Sequence, residues 1–188
     1  LLGKVSTTHY SYEELSNEIL FYTGGIGFSL HTFQPMNKEK FSPKLAVSTK
    51  ALSSNIPEAN RLITEIMSQS KFDDRERIRE IIQELKSRME MIIMNSGHQV
   101  ASMRLLSYLS SIGTYHEITG GLEYYRFVSR LDTNFDDQFD RLKVILDNIA
   151  LSLFNKRNMV VGLVNENTEI THSRSNLKKF LSTIPDNE

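Results

Sequence analysis

Apolar residues recur along most of this chain at three- and four-residue steps, and one stretch near the start alternates instead. Leu15, Ile19 and Tyr22 share the face of a helix opened by Ser11-Tyr12-Glu13-Glu14, a capping box in which the Ser11 hydroxyl meets the Glu14 backbone N–H. Gly24-Gly25 is expected to end that helix in a left-handed cap. Residues 26–34 place Ile26, Phe28, Leu30 and Thr32 on one face and Gly27, Ser29, His31 and Phe33 on the other, which is strand period. After a turn over residues 35–40, residues 45–51 read as a second strand, and the two together as an antiparallel hairpin.

Beyond the hairpin the helical period takes over. Asn55 caps a helix with Pro57 in its first turn, where the missing N–H costs little; Leu62, Ile63, Ile66 and Met67 form its stripe. Asp73-Asp74 opens a long helix carrying Ile78, Ile81, Ile82, Leu85, Met89 and Ile92, with Glu84 and Arg88 paired on its surface. Asn95-Ser96-Gly97 breaks it. A shorter helix follows with Val100, Met103, Leu106 and Leu109 on one side, stopped by Ser110-Ser111-Ile112-Gly113. The next is expected over residues 117–130, with Leu122, Tyr125 and Val128 inward despite Gly120-Gly121. Residues 135–154 form the last long helix, with Phe139, Leu142, Leu146, Ile149 and Leu153 on one face. Residues 159–164 read as a short apolar strand, Asn165-Glu166-Asn167 as a turn and residues 173–181 as a closing helix.

This order predicts an α+β fold, a small antiparallel sheet packed against a layer of several helices. Three strands are few for such a layer, and open edges expose unpaired N–H and C=O groups. The expectation is a single, incomplete domain over residues 1–188 whose sheet is completed from outside the chain.

Composition narrows the function classes. The 188 residues are 39% hydrophobic and 24% charged, with a net charge of −1 and a pI near 6.6. That balance argues against a dedicated nucleic-acid binder. With 0 cysteines, a disulfide, a thiolate nucleophile and a Cys-ligated metal are all ruled out, and cytoplasm or another reducing compartment is compatible. No apolar run approaches the roughly 20 residues of a membrane span. The opening Leu1-Leu2-Gly3-Lys4 lacks a start Met and a signal sequence, so the chain reads as an excised piece.

The 5 histidines do not form a metal motif. His9 precedes Glu13 by four residues, His31 sits beside Phe33 in a strand, and His98 follows Gly97 at a helix start, where it reads as structural. His116-Glu117 imitates the start of H-E-x-x-H, but position 120 is Gly. His172 lies beside Ser173 and Arg174. No two share a helical turn, so zinc spacing fails throughout. Gly24-Gly25-Ile26-Gly27 follows a helix and precedes a strand, the reverse of a phosphate loop. A G-x-S-x-G elbow is absent. Asp136, Asp137 and Asp140 complement a helix N-terminus. Met89 and Met103 read as core; Met91 and Met94 fall off the stripe and are candidates for an exposed groove or an inter-domain contact.

Several segments carry a family likeness in order: Tyr12-Glu13-Glu14-Leu15-Ser16-Asn17-Glu18-Ile19, Tyr22-Thr23-Gly24-Gly25-Ile26, Asn95-Ser96-Gly97-His98-Gln99-Val100-Ala101, Ser102-Met103-Arg104, Ser107-Tyr108-Leu109-Ser110, Gly120-Gly121-Leu122-Glu123-Tyr124-Tyr125 and Leu153-Phe154-Asn155-Lys156. Together they resemble the presequence-protease branch of the insulinase (pitrilysin) zinc metallopeptidases. Members have four related α+β domains in two halves closing around a chamber that admits short unstructured peptides. Their first domain holds zinc through H-x-x-E-H and a downstream Glu. This chain resembles part of the third, non-catalytic domain and lacks H-x-x-E-H. By the same likeness, the domain's first strands and first helix are missing. Glu80 and Glu84 lie on a helix similar to the one supplying the downstream ligand; without two His partners they read as solvated charges.

The resemblance implies a fragment with no catalytic, cofactor-binding or metal-binding residue of its own, inactive alone, with zinc belonging to the full-length parent. Its implied role is to wall the chamber and pack against the remaining domains, with short peptides as substrates of the parent and neither nucleic acid nor membrane as partner. Self-association of the isolated fragment is expected from its exposed faces. The alternative is a stand-alone, non-enzymatic peptide-binding or assembly module of the same fold.

Overall fold

The computed structural model describes residues 1–34, 36, 40–161, 170–184 and 186. Helix α1 (Tyr12–Tyr22) leads into strands β1 (Ile26–Phe33) and β2 (Ser42–Thr49), followed by α2 (Ile56–Gln69), α3 (Arg75–Asn95), α4 (Gly97–Ser107), α5 (Ser111–Gly120), α6 (Leu122–Thr133), α7 (Phe135–Leu153) and α8 (Ile170–Thr183). The fold is α+β and mostly helical. Among the described residues its sheet is the β1–β2 hairpin alone. Met159, Val160 and Val161 are not in a strand, and residues 162–164 of the expected third strand lie outside the described residues.

The chain divides into two compact units. The first comprises Leu1–Ser29, Ala46–Asp74 and Arg141–Glu188, the second Leu30–Leu45 and Arg75–Asp140.

In the first unit the predicted stripes meet. Leu15 of α1 and Leu62 and Ile66 of α2 are fully buried together, and Leu2, Tyr10, Ile19, Tyr22, Ile26 and Phe28 pack around them. Ala59, Ile63 and Met67 are buried from the same helix. Each fully buried Leu or Ile contributes about 1.5–3 kcal/mol relative to exposure. The capping box of α1 is present: Glu14 N–H donates to Ser11 Oγ at 3.3 Å, and Ser11 N–H donates to Glu14 Oε2 at 2.9 Å. The Ser11 backbone N–H and the Ser11 hydroxyl, which also donates to Glu14 Oε2, hold the Glu14 carboxyl below its ordinary range. Helix α1 ends differently from expectation. Thr23 is its extended C-cap, with both its N–H and its hydroxyl donating to Ile19 O. Of the expected Gly24-Gly25 pair, Gly25 takes the positive φ of 109° that an L side chain resists, two residues beyond the cap. Asn55 occupies the N-cap of α2, but its side-chain amide donates to Tyr22 O rather than to its own helix. An isolated antiparallel bridge between Thr7 and Ser70, flanked by Thr8 N–H to Gln69 O at 3.0 Å and Lys71 N–H to Ser6 O at 2.9 Å, fastens the N-terminal segment to the exit of α2.

In the second unit α3 buries Ile78, Ile81, Ile82 and Met89. Ile92, in the same repeat, is exposed. Phe135 and Phe139 are buried, with ring centroids 5.5 Å apart. Arg79 and Arg75 lie over Phe135 and Phe139 respectively and both pair with Asp136. The helix expected over residues 117–130 is two helices. The segment expected to stop the previous helix starts a new one, because Ser110 caps α5 by accepting from Gly113 N–H at 3.1 Å. The break falls at Gly121. Helix α4 departs furthest from its reading: no side chain in it is buried, and Leu106 and, just beyond its end, Leu109 are more than half exposed.

Candidate functional site

Among the described residues the histidines do not converge on a metal. His9 in the first unit donates its backbone N–H to Glu65 Oε1 at 3.3 Å, and its ring Nδ1 lies 3.0 Å from Glu65 Oε2. Burial pushes the Glu65 carboxyl up, but bonds from Thr7 and His9 outweigh this and hold it below its ordinary range. His31 lies near the Phe33 ring in β1. His98 is exposed at the start of α4. His116 Nε2 is 3.3 Å from Thr32 Oγ1, and its ring meets Tyr115 edge-on. The side chain of His172 lies outside the described residues. Among the described residues, no three His, Asp or Glu side chains are grouped to hold a metal ion. The donor set present does not fit the zinc that the resemblance assigns to the family. Glu80 and Glu84 sit on the exposed side of α3, paired with Arg77 at 2.9 Å and Arg88 at 2.5 Å.

The most structured polar cluster is built by α4, α5 and α6. Glu117 is 1% exposed. Its Oε1 accepts from Arg104 Nη1 at 3.3 Å and from the Glu123 backbone N–H at 3.2 Å, so α5 caps the start of α6. Arg104 Nη1 also donates to Glu123 Oε1 at 3.1 Å, and Arg126 Nη1 to the same oxygen at 2.8 Å. Arg104 lies 5.3 Å from the Tyr108 ring centroid. Two carboxylates thus face two guanidinium groups, which offsets the cost of burying Glu117. Glu117 Oε2 has no hydrogen-bond partner among the described residues. It lies against Gly121, where a Cβ would come within 2.1 Å of it. A second close approach joins α4 to α5: a Cβ on Gly113 would stand 2.2 Å from Leu106 O.

Sequence spacing presents Glu117 only as half of a failed zinc motif and misses this role. The signal that could have found it is a lone acid, followed by Gly120-Gly121, at the end of a stretch whose single charge is Arg104. The likeness segments holding Arg104, Tyr108, Gly121 and Glu123 are the ones that meet here. This arrangement locks three helices; it offers neither a nucleophile nor an open metal position.

Beside the cluster, His98, Met103, Leu106, Ile112 and His116 line an open groove of about 500 Å³ between α4 and α5. In the first unit, α2, α7 and α8 border a smaller one of about 320 Å³ that includes Met67, Phe72, Leu151 and Phe154. No helix among the described residues is long and apolar enough to cross a membrane.

Residues 1–131 match the family model for the associated region of M16 peptidases of subfamily C. The chain is similar to Protein HypA of Clostridium perfringens, at 35% identity over 100% of this chain and 19% of that protein. It is also similar to the mitochondrial presequence protease of Drosophila melanogaster, at 31% identity over 98% of this chain and 18% of that protein. With presequence protease 1, chloroplastic/mitochondrial, of Arabidopsis thaliana the identity is 25%, over 99% and 17% respectively. The chain spans under a fifth of the length of these relatives.

Proposed function

This chain belongs to the family of M16 peptidase-associated regions, subfamily C, and on that premise we propose that it serves as a structural domain of a zinc-dependent endopeptidase. The homology supports a non-catalytic part of an M16 peptidase with presequence-protease character. In our reading the chain forms part of the third domain of the parent, incomplete as given, and walls a chamber that receives short unstructured peptides. Zinc is held elsewhere in the parent. The remaining domains of that parent are its partners, and the isolated chain self-associates through faces those domains would cover.

One observation carries the reading: the family model matches residues 1–131, while full-length relatives are about five times as long as the chain. The test compares two proteins. The full-length peptidase hydrolyses short unstructured peptides and loses that activity with a chelator. The purified chain hydrolyses none, with or without added zinc. Zinc-dependent turnover by the purified chain overturns the proposal, as does a full-length protein without peptidase activity.

A further inference from the structure

We propose that α4 and the turn after it form a buried contact between this chain and another domain of the same peptidase polypeptide. The inference rests on the functional reading above and names the surface that reading requires.

Three observations converge. First, α4 is an 11-residue helix with no buried side chain of its own. A helix that short is marginal in water, and within proteins an amphipathic face covered by a neighbour normally holds it. Here Leu105, Leu106, Tyr108 and Leu109 are 63%, 54%, 71% and 73% exposed. Met91 and Met94 at the end of α3, and Ile118 of α5, add further exposed apolar side chains in the same unit. Second, the stretch is almost free of charge. From Ser96 to His116 the only Lys, Arg, Asp or Glu is Arg104, in a chain that is 24% charged. Arg104 is held by Glu117 and Glu123. Contact cores are depleted of charge, whereas a helix face that stays in water carries it, as α3 does with Glu80, Glu84 and Arg88. Third, in relatives matched over the whole chain, about four-fifths of the polypeptide lies outside the match, so covering material is available without a second molecule.

The occupant is therefore an apolar, uncharged face of another domain in the same chain. The charge-poor surface fits a permanent contact better than a reversible one, whose rim needs polar groups. The Glu117 network supports it from behind, because it fixes α4 against α5 and α6 through Arg104.

The experiment uses the full-length peptidase carrying Leu105→Asp or Leu109→Asp, with Gln83→Asp on the exposed side of α3 as control. Limited proteolysis and hydrogen exchange are read over residues 96–116, alongside peptide hydrolysis and mass by light scattering. The expected result is cleavage and exchange in that segment at least about tenfold faster in both variants and unchanged in the control, because a carboxylate in a dry contact opens it. Unchanged protection in a peptidase that remains active overturns the assignment of this surface and leaves the functional reading standing. An unmodified full-length protein without peptidase activity defeats the functional reading, whereas the protection measurement still decides whether the surface is covered. Two other outcomes overturn the choice of occupant. Loss of a dimer on Leu109→Asp, with protection restored by concentration, assigns the face to a second copy. A raised KM with unchanged protection assigns it to the substrate peptide.

Discussion

Helices α2 and α4 begin from similar sequence material and end in opposite environments. Both carry apolar residues at helical spacing. Helix α2 buries five of them, and Leu62 and Ile66 are fully enclosed with Leu15. Helix α4 buries none. The difference lies in what each helix meets. Helix α2 has α1 and the N-terminal segment against it, tied by the Thr7–Ser70 bridge. Helix α4 meets α5 so closely that Gly113 is required, yet Leu105 and Leu106 stay more than half exposed. A hydrophobic stripe predicts that a face is to be covered; it does not say that this chain does the covering.

Breaking the comparison starts with the core. Leu62→Ala should cost about 2–5 kcal/mol, and Leu109→Ala in the isolated chain no more than about 0.5 kcal/mol, both read by denaturant unfolding. Equal losses would erase the distinction between the two helices. Gly121→Ala should cost about 1–3 kcal/mol, because its Cβ meets the buried Glu117 carboxylate and the break between α5 and α6 must shift. A neutral result would mean that the α5–α6 junction is not held as tightly as the geometry describes. Ser11→Ala removes one half of a capping box and should lower stability by about 1 kcal/mol. The smallest effect is a pH dependence at α7. Hydrogen bonds and charge from Arg79 and Arg75 hold the Asp136 carboxyl below its ordinary 3.8. A carboxyl depressed in the folded state contributes stability that is fully present above its unfolded value and is lost as pH falls through its folded value. Unfolding free energy of Asp136→Asn against the unmodified chain should therefore differ above about pH 4 and converge below it, and the difference should shrink in high salt.

Much of this molecule is legible in its residues, and the failures share a cause. The capping box at Ser11, the hairpin, the α2 stripe and the long α3 follow from local chemistry acting within a few residues. Boundaries decided by the hydrogen bonds of one particular side chain do not. Thr23 rather than Gly24-Gly25 caps α1, because its hydroxyl reaches back to Ile19 O. Helices α5 and α6 separate at Gly121, because Glu117 occupies the space a side chain would need and supplies the cap for α6. The strand expected over residues 159–164 rests on apolar content alone; Met159, Val160 and Val161 have no ladder partner among the described residues. The family likeness is carried by segments whose physical role becomes clear only in three dimensions. Arg104, Tyr108, Gly121 and Glu123 stand apart in sequence and meet around one buried carboxylate.

A non-catalytic role for this chain requires that metal chemistry be held elsewhere in the parent. Elemental analysis of the purified chain after exposure to zinc and desalting, with peptide turnover measured on the same sample, addresses this directly. Far less than one zinc per chain and no turnover are expected. One tightly held zinc per chain together with chelator-sensitive hydrolysis would contradict that role.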